Sequence, residues 1–316
     1  MLRLVARRVL TAVPTLVGVV LVAMLLMELM PGDPARIMAG DNATPEAVDV
    51  IRSDLELDKP LWERSGSYLW NVAHGDLGHT PGSGTPTWDR IAAALPVTLS
   101  LALVSMVLAV VIGVSAGTAA ALRRGRLVDR AVTAAASVMQ AVPPFVVGLG
   151  LVIAFAVDRS WFPASGYQPL AAAGLSEWLR YLWLPAFALA LSSAAELARQ
   201  TRGALVDTLE EDYIRASRAK GLGERWVIGK HAAKNAATPV VTVAGLQVAR
   251  ILGGAIVVEQ IFGMHGFGSL AVNAVLTRDM VLIQGVVLVS AVGVLIANLL
   301  VDLSYGYLDP KVRVAQ

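Results

Sequence analysis

The sequence lacks cysteine altogether and carries few charged residues for its length. Without cysteine, disulfide bonds, thiolate chemistry and cysteine-ligated zinc are excluded. Charged residues make up 16% of the chain, against about 25% in a typical soluble protein. Hydrophobic residues reach 56% and stand in long blocks, and the mean hydropathy is +0.63. This composition predicts a protein that crosses a membrane several times.

The sequence also lacks the motifs of nucleotide hydrolysis and of common hydrolases. There is no G-x-x-x-x-G-K-[ST] loop, because Gly229-Lys230 has no first glycine and is followed by His231 instead of Ser or Thr. Neither a hydrolase elbow nor an H-E-x-x-H pair occurs, and the histidines are scattered. We therefore expect this chain to be no enzyme and to bind no metal or cofactor of its own.

What the sequence does contain is a series of apolar segments that predict an all-α fold with six transmembrane helices. These segments are residues 9–30, 97–122, 131–157, 181–197, 235–258 and 280–301. Gly113 and Gly117 in the second form a small-xxx-small pair, which lets another helix approach closely. Pro143-Pro144 in the third must interrupt the helical hydrogen bonds.

Residues 31–96 differ from the rest because they are polar. They predict an external domain with helices at 45–57 and 61–72, serving either as a passive spacer or as a docking surface or lid. Apart from this long loop, only Arg159, Arg180 and Arg278 fall in predicted outer loops, while most other basic residues lie on the opposite side. The positive-inside rule then places both termini in the cytoplasm. Residues 259–279 are expected to form an outer loop or a half-buried hairpin.

The polar block around residues 210–239 contains a short predicted helix. Its start has helical spacing, and the Gly221-Leu222-Gly223 step should end it. The small residues Ala216 and Ala219 would permit close approach by a partner, while Gly221 allows a sharp turn. Two interpretations remain open from spacing alone: a rigid element that fits a partner's groove, or a solvated basic loop near anionic lipid.

Polar residues inside the predicted spans raise a second set of candidates. Arg250 lies near the middle of the fifth span, where an unpaired charge is costly, with Gln247 nearby. Arg250 either lines a pathway or forms a structural pair with a carboxylate. Glu259 ends this span and precedes the glycine-rich segment 263–268, which by itself indicates an ordinary interfacial turn. Glu196, Arg199 and Arg202 are spaced for a local salt bridge.

Residues 212–222, DYIRASRAKGL, resemble the EAA loop of ABC importer permeases. The chain is more narrowly similar to the dipeptide/oligopeptide/nickel permease family, first-permease type. That resemblance extends through segments 30–34, 57–61, 75–78, 142–145, 259–262, 266–268 and 309–313. The chain departs from the general pattern in having Arg215-Ala216-Ser217 where Glu-Ala-Ala is usual. It also has His231-Ala232-Ala233-Lys234 where the general pattern has I-x-L-P.

The resemblance implies the type I ABC importer permease fold and a bacterial inner-membrane location. Residues 1–30 would form the N-terminus and first span, 31–96 the external domain, and 97–316 a five-helix core with a coupling loop at 199–234. Contact with an ATPase would fall on Asp212, Tyr213, Arg215, Ala216, Ser217, Ala219, Lys220, Gly221 and Leu222. Pathway or gate candidates are Gln247, Arg250, Glu259, Phe262, Gly266 and Phe267.

The resemblance further implies that this chain forms half of a pore for ATP-driven uptake of short peptides. Its partners would be a second homologous permease, one or two cytoplasmic ATPase subunits that hold ATP and Mg²⁺, and an external binding protein; no nucleic acid is implied. Nickel, haem or opine-like cargo is the alternative within the family. An ion-coupled secondary transporter, expected to show inverted repeats and midplane carboxylates, and a non-transporting scaffold are alternatives from other classes.

Overall fold

The computed structural model describes residues 2–29, 32–40, 43–80 and 84–308. Within these ranges the chain is helical, and its one extended pairing is an isolated bridge between His79 and Pro86. The predicted all-α class is therefore confirmed. Two of the stretches that carry the family resemblance lie at least partly outside the described residues, namely positions 30 and 31 and positions 309–313.

The described helices follow one another along the chain, and the longest connections precede α5 and α8. Their bounds are α1 (Leu2–Glu28), α2 (Pro34–Ala39), α3 (Pro45–Asp54), α4 (Leu61–Ala73), α5 (Thr87–Leu122), α6 (Leu127–Ala141), α7 (Pro144–Leu151), α8 (Leu170–Glu210), α9 (Asp212–Ala219), α10 (Glu224–Trp226), α11 (Ala233–Ile261), α12 (Phe267–Leu276) and α13 (Met280–Leu308). The π-helical stretch Val152–Val157 extends α7, and a second one, Val227–Ala232, joins α10 to α11.

Several of these helices can cross a bilayer. Among the described residues, α5, α8, the run Glu224–Ile261 and Met280–Leu300 are long and apolar enough, and the bent pair α6–α7 adds one more crossing if it counts as one span. The described apolar part of α1, Leu10–Leu26, reaches the lower limit of about 17 residues for a span. Each of these elements overlaps one of the six predicted segments, and four of them, or five with the bent pair, are long and apolar enough to span a bilayer in the described part of the chain.

The third predicted span is broken at Pro143-Pro144. Helix α6 ends at Ala141, and the segment Pro144–Val157 leaves it at an angle of 99°. Proline has no N–H to donate and a fixed φ, so two in succession prevent the helix from continuing. Pro143 instead starts the next helix, with its carbonyl accepting a hydrogen bond from Val146 N at 3.0 Å. The predicted interruption is confirmed, and the 99° angle between the two helices is much larger than that of an ordinary proline kink.

Two other elements differ from the sequence expectation. Helix α8 spans Leu170–Glu210, much longer than the predicted segment 181–197, with a local break at Gly174 where φ is 76°. Helix α12 occupies Phe267–Leu276, inside the stretch expected to be a loop or hairpin. Gly266 and Gly268 suggested a turn, but Gly266 is the extended N-cap residue of α12 and Gly268 is a buried residue within it.

The described chain divides into two compact units. The first comprises Leu2–Val97 and His265–Ile296. Its core joins residues of α1, α5, α12 and α13, and α4 of the polar insertion packs on it through partly buried apolar side chains. Arg90 also donates to the largely buried Asp279 carboxylate at 2.9 Å. In this unit, therefore, α4 lies against the apolar helices.

The second unit comprises Thr98–Met264 and residues 297–308, and α8 lies at its centre. Helices α6, α7 and α11 all pack against α8. In the most apolar stretch of α8, 67% of the residues are buried. In the most apolar stretch of the span that contains α11, 17% of the residues are buried. The central position of α8 follows from its small residues, because Ala188, Ala190, Ala194, Ala195 and Ala198 are all buried.

Helix α5 approaches α8 at the glycine pair. A methyl group built on Gly113 would lie 2.6 Å from Leu197 Cβ, and one on Gly117 would lie 2.5 Å from the carbonyl oxygen of Ala198. Such distances leave no room for any side chain. The predicted close helix contact is therefore confirmed, and its partner is α8.

We expect Gly117→Ala to destabilise the purified protein, since overpacking a tight contact costs about 1–3 kcal/mol. Gly203→Ala is the matched control, because a methyl group there meets nothing within 4 Å. Thermal unfolding in detergent measures the difference. Equal melting temperatures for the two variants would show that α5 and α8 do not pack through this glycine.

Candidate functional site

Helix α9 is the short helix predicted within the polar block, and its ends are set by local chemistry. Glu211 adopts an extended conformation (φ −64°, ψ 146°), which separates α9 from α8. Asp212 in the first turn and Arg218 in the last complement the helix dipole. Gly221 then has a φ of +80°, which favours glycine. The predicted short helix and its stop at the Gly221 step are confirmed.

One apolar side chain anchors α9 to the membrane helices. Ile214 is fully buried, while its neighbours on both sides are exposed. It packs in a cluster with Ala121 at the end of α5, Leu205 and Val206 near the end of α8, and Val227, Ala232 and Ala236 at the start of the next span. The helix therefore lies at a point where the ends of three spans meet.

Polar contacts fix the rest of the segment. The Tyr213 hydroxyl accepts a hydrogen bond from Asn235 Nδ2 at 2.6 Å, which joins α9 to α11. Arg218 Nη2 donates to Glu224 at 2.6 Å across the glycine turn, and Arg218 Nε donates to the same carboxylate at 3.2 Å. This hydrogen bonding raises the pKa of Arg218, so its charge is retained at any physiological pH.

The opposite face of α9 is uncovered. The side chains of Asp212 and Arg215 are 95% and 69% exposed, and they form only a long ion pair of 3.4 Å with each other. Of the predicted contact residues, only Ser217 is half-buried, and its hydroxyl donates to the Tyr213 carbonyl at 2.7 Å. The exposed ones are Asp212, Tyr213, Arg215, Ala216, Ala219, Lys220, Gly221 and Leu222. Because one face of α9 is buried against the spans and the opposite face is exposed, the exposed face is free to contact a partner protein.

The predicted pathway residues of α11 have different surroundings. The Gln247 amide oxygen accepts a hydrogen bond from Ser193 at 3.1 Å, and both residues are buried. Glu259 is fully buried and accepts a hydrogen bond from Thr98. Phe262, just after α11, is 2% exposed and lies close to Gly148 of α7. Gln247, Glu259 and Phe262 thus hold helices together within this unit.

Arg250 is the exception in this set, because its side chain is exposed. The remaining two candidates, Gly266 and Phe267, belong to the other compact unit. Gly266 caps α12, and Phe267 is packed against the core of that unit. The role of these six residues in a pathway stays a prediction.

Two polar links between α6 and α8 were not predicted from the sequence. Arg202 donates two hydrogen bonds to the Asp129 carboxylate, one from Nε and one from Nη2 at 2.9 Å. Gly125 N donates to the same carboxylate at 2.8 Å. Gln140 donates to Glu196, which also pairs with Arg199 at 2.6 Å. The expected local pair of Glu196 and Arg199 is present, but Arg202 turns to another helix. The sequence feature that could have indicated these links is a single polar residue at each end of an apolar segment, here Asp129 and Gln140.

Comparison with protein families matches nearly the whole length of the chain. Residues 109–314 match the model described as "Binding-protein-dependent transport system inner membrane component". Residues 1–102 match the model of the N-terminal part of such membrane components. Together the two matches cover both compact units.

Individual relatives agree with the family match. The chain is 41% identical over 313 residues to a putative peptide transport system permease protein of Brucella abortus, covering 99% of each chain. It is 40% identical to the glutathione transport system permease protein of Escherichia coli O6:H1, again over 99% of each. Among solved structures, an inward-facing MetNI methionine ABC transporter superposes with a TM-score of 0.56 at 18% identity, covering 69% of this chain and 96% of that one. That likeness shows the fold.

The burial of Ile214 generates a direct prediction about α9. Ile214→Ala removes the anchor, and a buried Ile→Ala change costs about 2–5 kcal/mol. We expect faster amide hydrogen exchange across residues 212–220, with the exchange of α5 and α8 nearly unchanged. Ala219→Ser, on the exposed face, is the control and should leave exchange as in the parent. Unchanged exchange in Ile214→Ala would mean that α9 is held by other contacts.

Proposed function

This chain belongs to the family of binding-protein-dependent transport system inner membrane components, and from that premise we propose that it forms half of the pore for ATP-driven uptake of short peptides. It is a multi-pass membrane subunit of a transport system and not an enzyme. In this proposal, partner subunits hydrolyse ATP and deliver the cargo to this chain. The names of its relatives support the cargo, since they include peptide and glutathione permeases and glutathione is itself a short peptide.

Helix α9 is the proposed contact with a cytoplasmic ATPase. What supports this is its combination of a buried anchor and an open face: Ile214 is fully buried, while Ala216 and Ala219 are exposed. A push on the exposed face would be carried to α5, α8 and α11 through the Ile214 cluster. Small side chains on the outer face allow a groove to close around the helix.

The proposed cycle follows from this geometry. ATP closes the motor dimer, the α9 helices of two permease subunits move together, and the spans open the pore outward. Hydrolysis then resets the pore. The partners are a second homologous permease, one or two ATPase subunits that hold ATP and Mg²⁺, and an external binding protein. Both termini lie in the cytoplasm, as the distribution of basic residues predicts.

The absence of native cysteine makes the orientation of α9 testable with single cysteines. Ala216→Cys should react with a membrane-impermeant maleimide only in inside-out vesicles, and it should crosslink to a cysteine in the groove of the ATPase. Asp49→Cys in α3, an exposed site of the external region, should show the opposite sidedness. Labelling of position 216 from the outside would place α9 on the wrong side for an ATPase.

Gly221→Val tests the coupling turn. With φ at +80°, a side chain at Gly221 costs about 1–2 kcal/mol, although no atom lies within 4 Å of a new Cβ. Such a cost changes the equilibrium constant between the native turn and its alternatives by about tenfold. We expect peptide uptake by the complete transporter to fall, by at most that factor, while membrane insertion stays normal.

Gly223→Val is the matched control, since Gly223 has an extended backbone (φ −62°, ψ 140°) and equally open surroundings. It should retain uptake close to that of the parent. Full uptake by Gly221→Val would contradict the coupling role of the turn. Failure of the parent transporter to accumulate any short peptide would contradict the proposed cargo.

A further inference from the structure

Helix α4 of the polar insertion lies beside the outer ends of two membrane helices. Near its start, the Arg64 guanidinium pairs at 3.1 Å with the carboxylate of Glu28, the last residue of α1. Just after its end, Gly78 packs so closely on α13 that a methyl group built there would lie 2.8 Å from the Val281 side chain. The positive-inside rule places the end of α1 and the start of α13 on the outer side. The segment from Arg64 to Gly78 therefore runs along the outer membrane surface.

The side chains of α4 form three sectors around the helix axis, which has about 3.6 residues per turn. One sector packs on the core of this unit through Leu61, Tyr68, Leu69 and Val72. Beside it lies an exposed sector, which we call the tryptophan flank, made of Trp62, Gly66, Trp70 and Ala73. On the other side of the core-facing sector lies a polar sector made of Glu63, Arg64, Ser67 and Asn71. The helix thus has one exposed polar side and one exposed apolar side.

The contacts with α1 show which of these two sides is deeper in the membrane. Arg64, in the polar sector, pairs with Glu28. Ser65, one residue further around the helix toward the tryptophan flank, donates to Met24 Sδ at 3.1 Å. Met24 lies one turn, about 6 Å, deeper along α1 than Glu28. Depth therefore increases from the polar sector toward the tryptophan flank.

The polar sector faces the hydrated side of α4. Ser67 and Asn71 border a cavity together with three carboxylates of the insertion, those of Asp54, Glu56 and Asp76. Carboxylates are costly to remove from water, so a cavity with this lining is hydrated. The tryptophan flank lies on the other side of the core-facing sector, and it therefore points from the hydrated side toward the bilayer.

The exposed residues themselves match this position. All three tryptophans within residues 2–97 and 265–296 are exposed, with Trp62 at 74%, Trp70 at 69% and Trp88 at 51%. Trp88 is the second residue of α5, at the outer end of another span. Leaving a large indole ring in water is unfavourable. At a membrane interface the ring contacts lipid while its N–H keeps a hydrogen-bond partner, which is why tryptophan is enriched there.

We propose that the tryptophan flank of α4 is inserted in the headgroup layer of the outer leaflet and that its indoles anchor the polar insertion to lipid. The partner of this surface is the lipid itself. Through the contacts with Glu28 and Val281, the anchored helix holds the outer ends of α1 and α13 at a fixed depth. This inference goes beyond peptide transport and does not depend on the cargo.

The test measures the depth of spin labels on the tryptophan flank in the complete transporter, reconstituted in liposomes of phosphatidylethanolamine and phosphatidylglycerol. Gly66→Cys and Ala73→Cys place labels there and keep both tryptophans, and a side chain at Gly66 meets no atom within 4 Å. Collisions with oxygen, which concentrates in lipid, are compared with collisions with a neutral, water-soluble nickel chelate. We expect both labels about 5–10 Å into the boundary between headgroups and acyl chains.

Two exposed sites on the hydrated side serve as controls. Labels at Asn71→Cys, in the polar sector, and Asp49→Cys, in α3, should collide freely with the nickel chelate. Equally free nickel collisions at positions 66 and 73 would place the flank in water and overturn the proposal, and their loss on adding the external binding protein would identify a protein-docking surface instead. Few collisions with either reagent would show that a protein subunit covers the flank, which would also overturn it.

Replacing the indoles tests whether they are the anchor. Trp62→Ser and Trp70→Ser together should move the label at position 73 toward water and increase its nickel collisions. Glu63→Ser, at an exposed site next to Trp62, is the control and should leave the depth of that label unchanged. An unchanged depth in the tryptophan variant would overturn the anchoring role. Co-purification of the partner ATPase confirms that each variant assembles.

Discussion

The burial of Ile214 is the contact on which the mechanics of this chain depend. Without it, α9 would be a polar helix held to the spans by its two short turns and by the single hydrogen bond between Tyr213 and Asn235. With it, α9 shares a core with the ends of α5 and α8 and with the start of the α11 span. Because protein interiors are close-packed and resist compression, such a core transmits displacement. The exposed face of α9 can then move only with the helices behind it.

Helix α8 extends this connection into the membrane. Leu205 and Val206 belong to the Ile214 cluster, Arg202 binds Asp129 of α6, and Glu196 binds Gln140 of α6. Val206 and Glu196 are about 15 Å apart along the helix. The close contact of Gly113 and Gly117 with α8 fixes the other side. One continuous helix therefore links α9 to the contact between Glu196 and Gln140 beside the broken span.

Sequence reasoning predicted the features that depend on local chemistry. The glycine stop of α9, the interruption at Pro143-Pro144 and the close approach at Gly113 each follow from backbone freedom or side-chain size at one position. It missed the features that depend on distant partners. The spacing of Glu196, Arg199 and Arg202 suggested one local group, whereas tertiary packing directs Arg202 to Asp129. Likewise, Gly266 and Gly268 suggested a hairpin, because the packing that stabilises α12 is not visible in the local pattern. The roles of the exposed α9 residues and of Arg250 require partner subunits and stay predictions.

The most direct measurement of the central claim is a distance across the α9 anchor in the working transporter. Spin labels at Leu127→Cys, at the start of α6, and Ala219→Cys, at the end of α9, can be introduced because the chain has no native cysteine. The partner subunits must be free of reactive cysteines. If α9 moves as one body with the spans behind it, the distance distribution stays the same with and without ATP, while the transporter continues to turn over. A second or shifted distance population on ATP binding would show that α9 swings independently, and would contradict its role as a rigid lever.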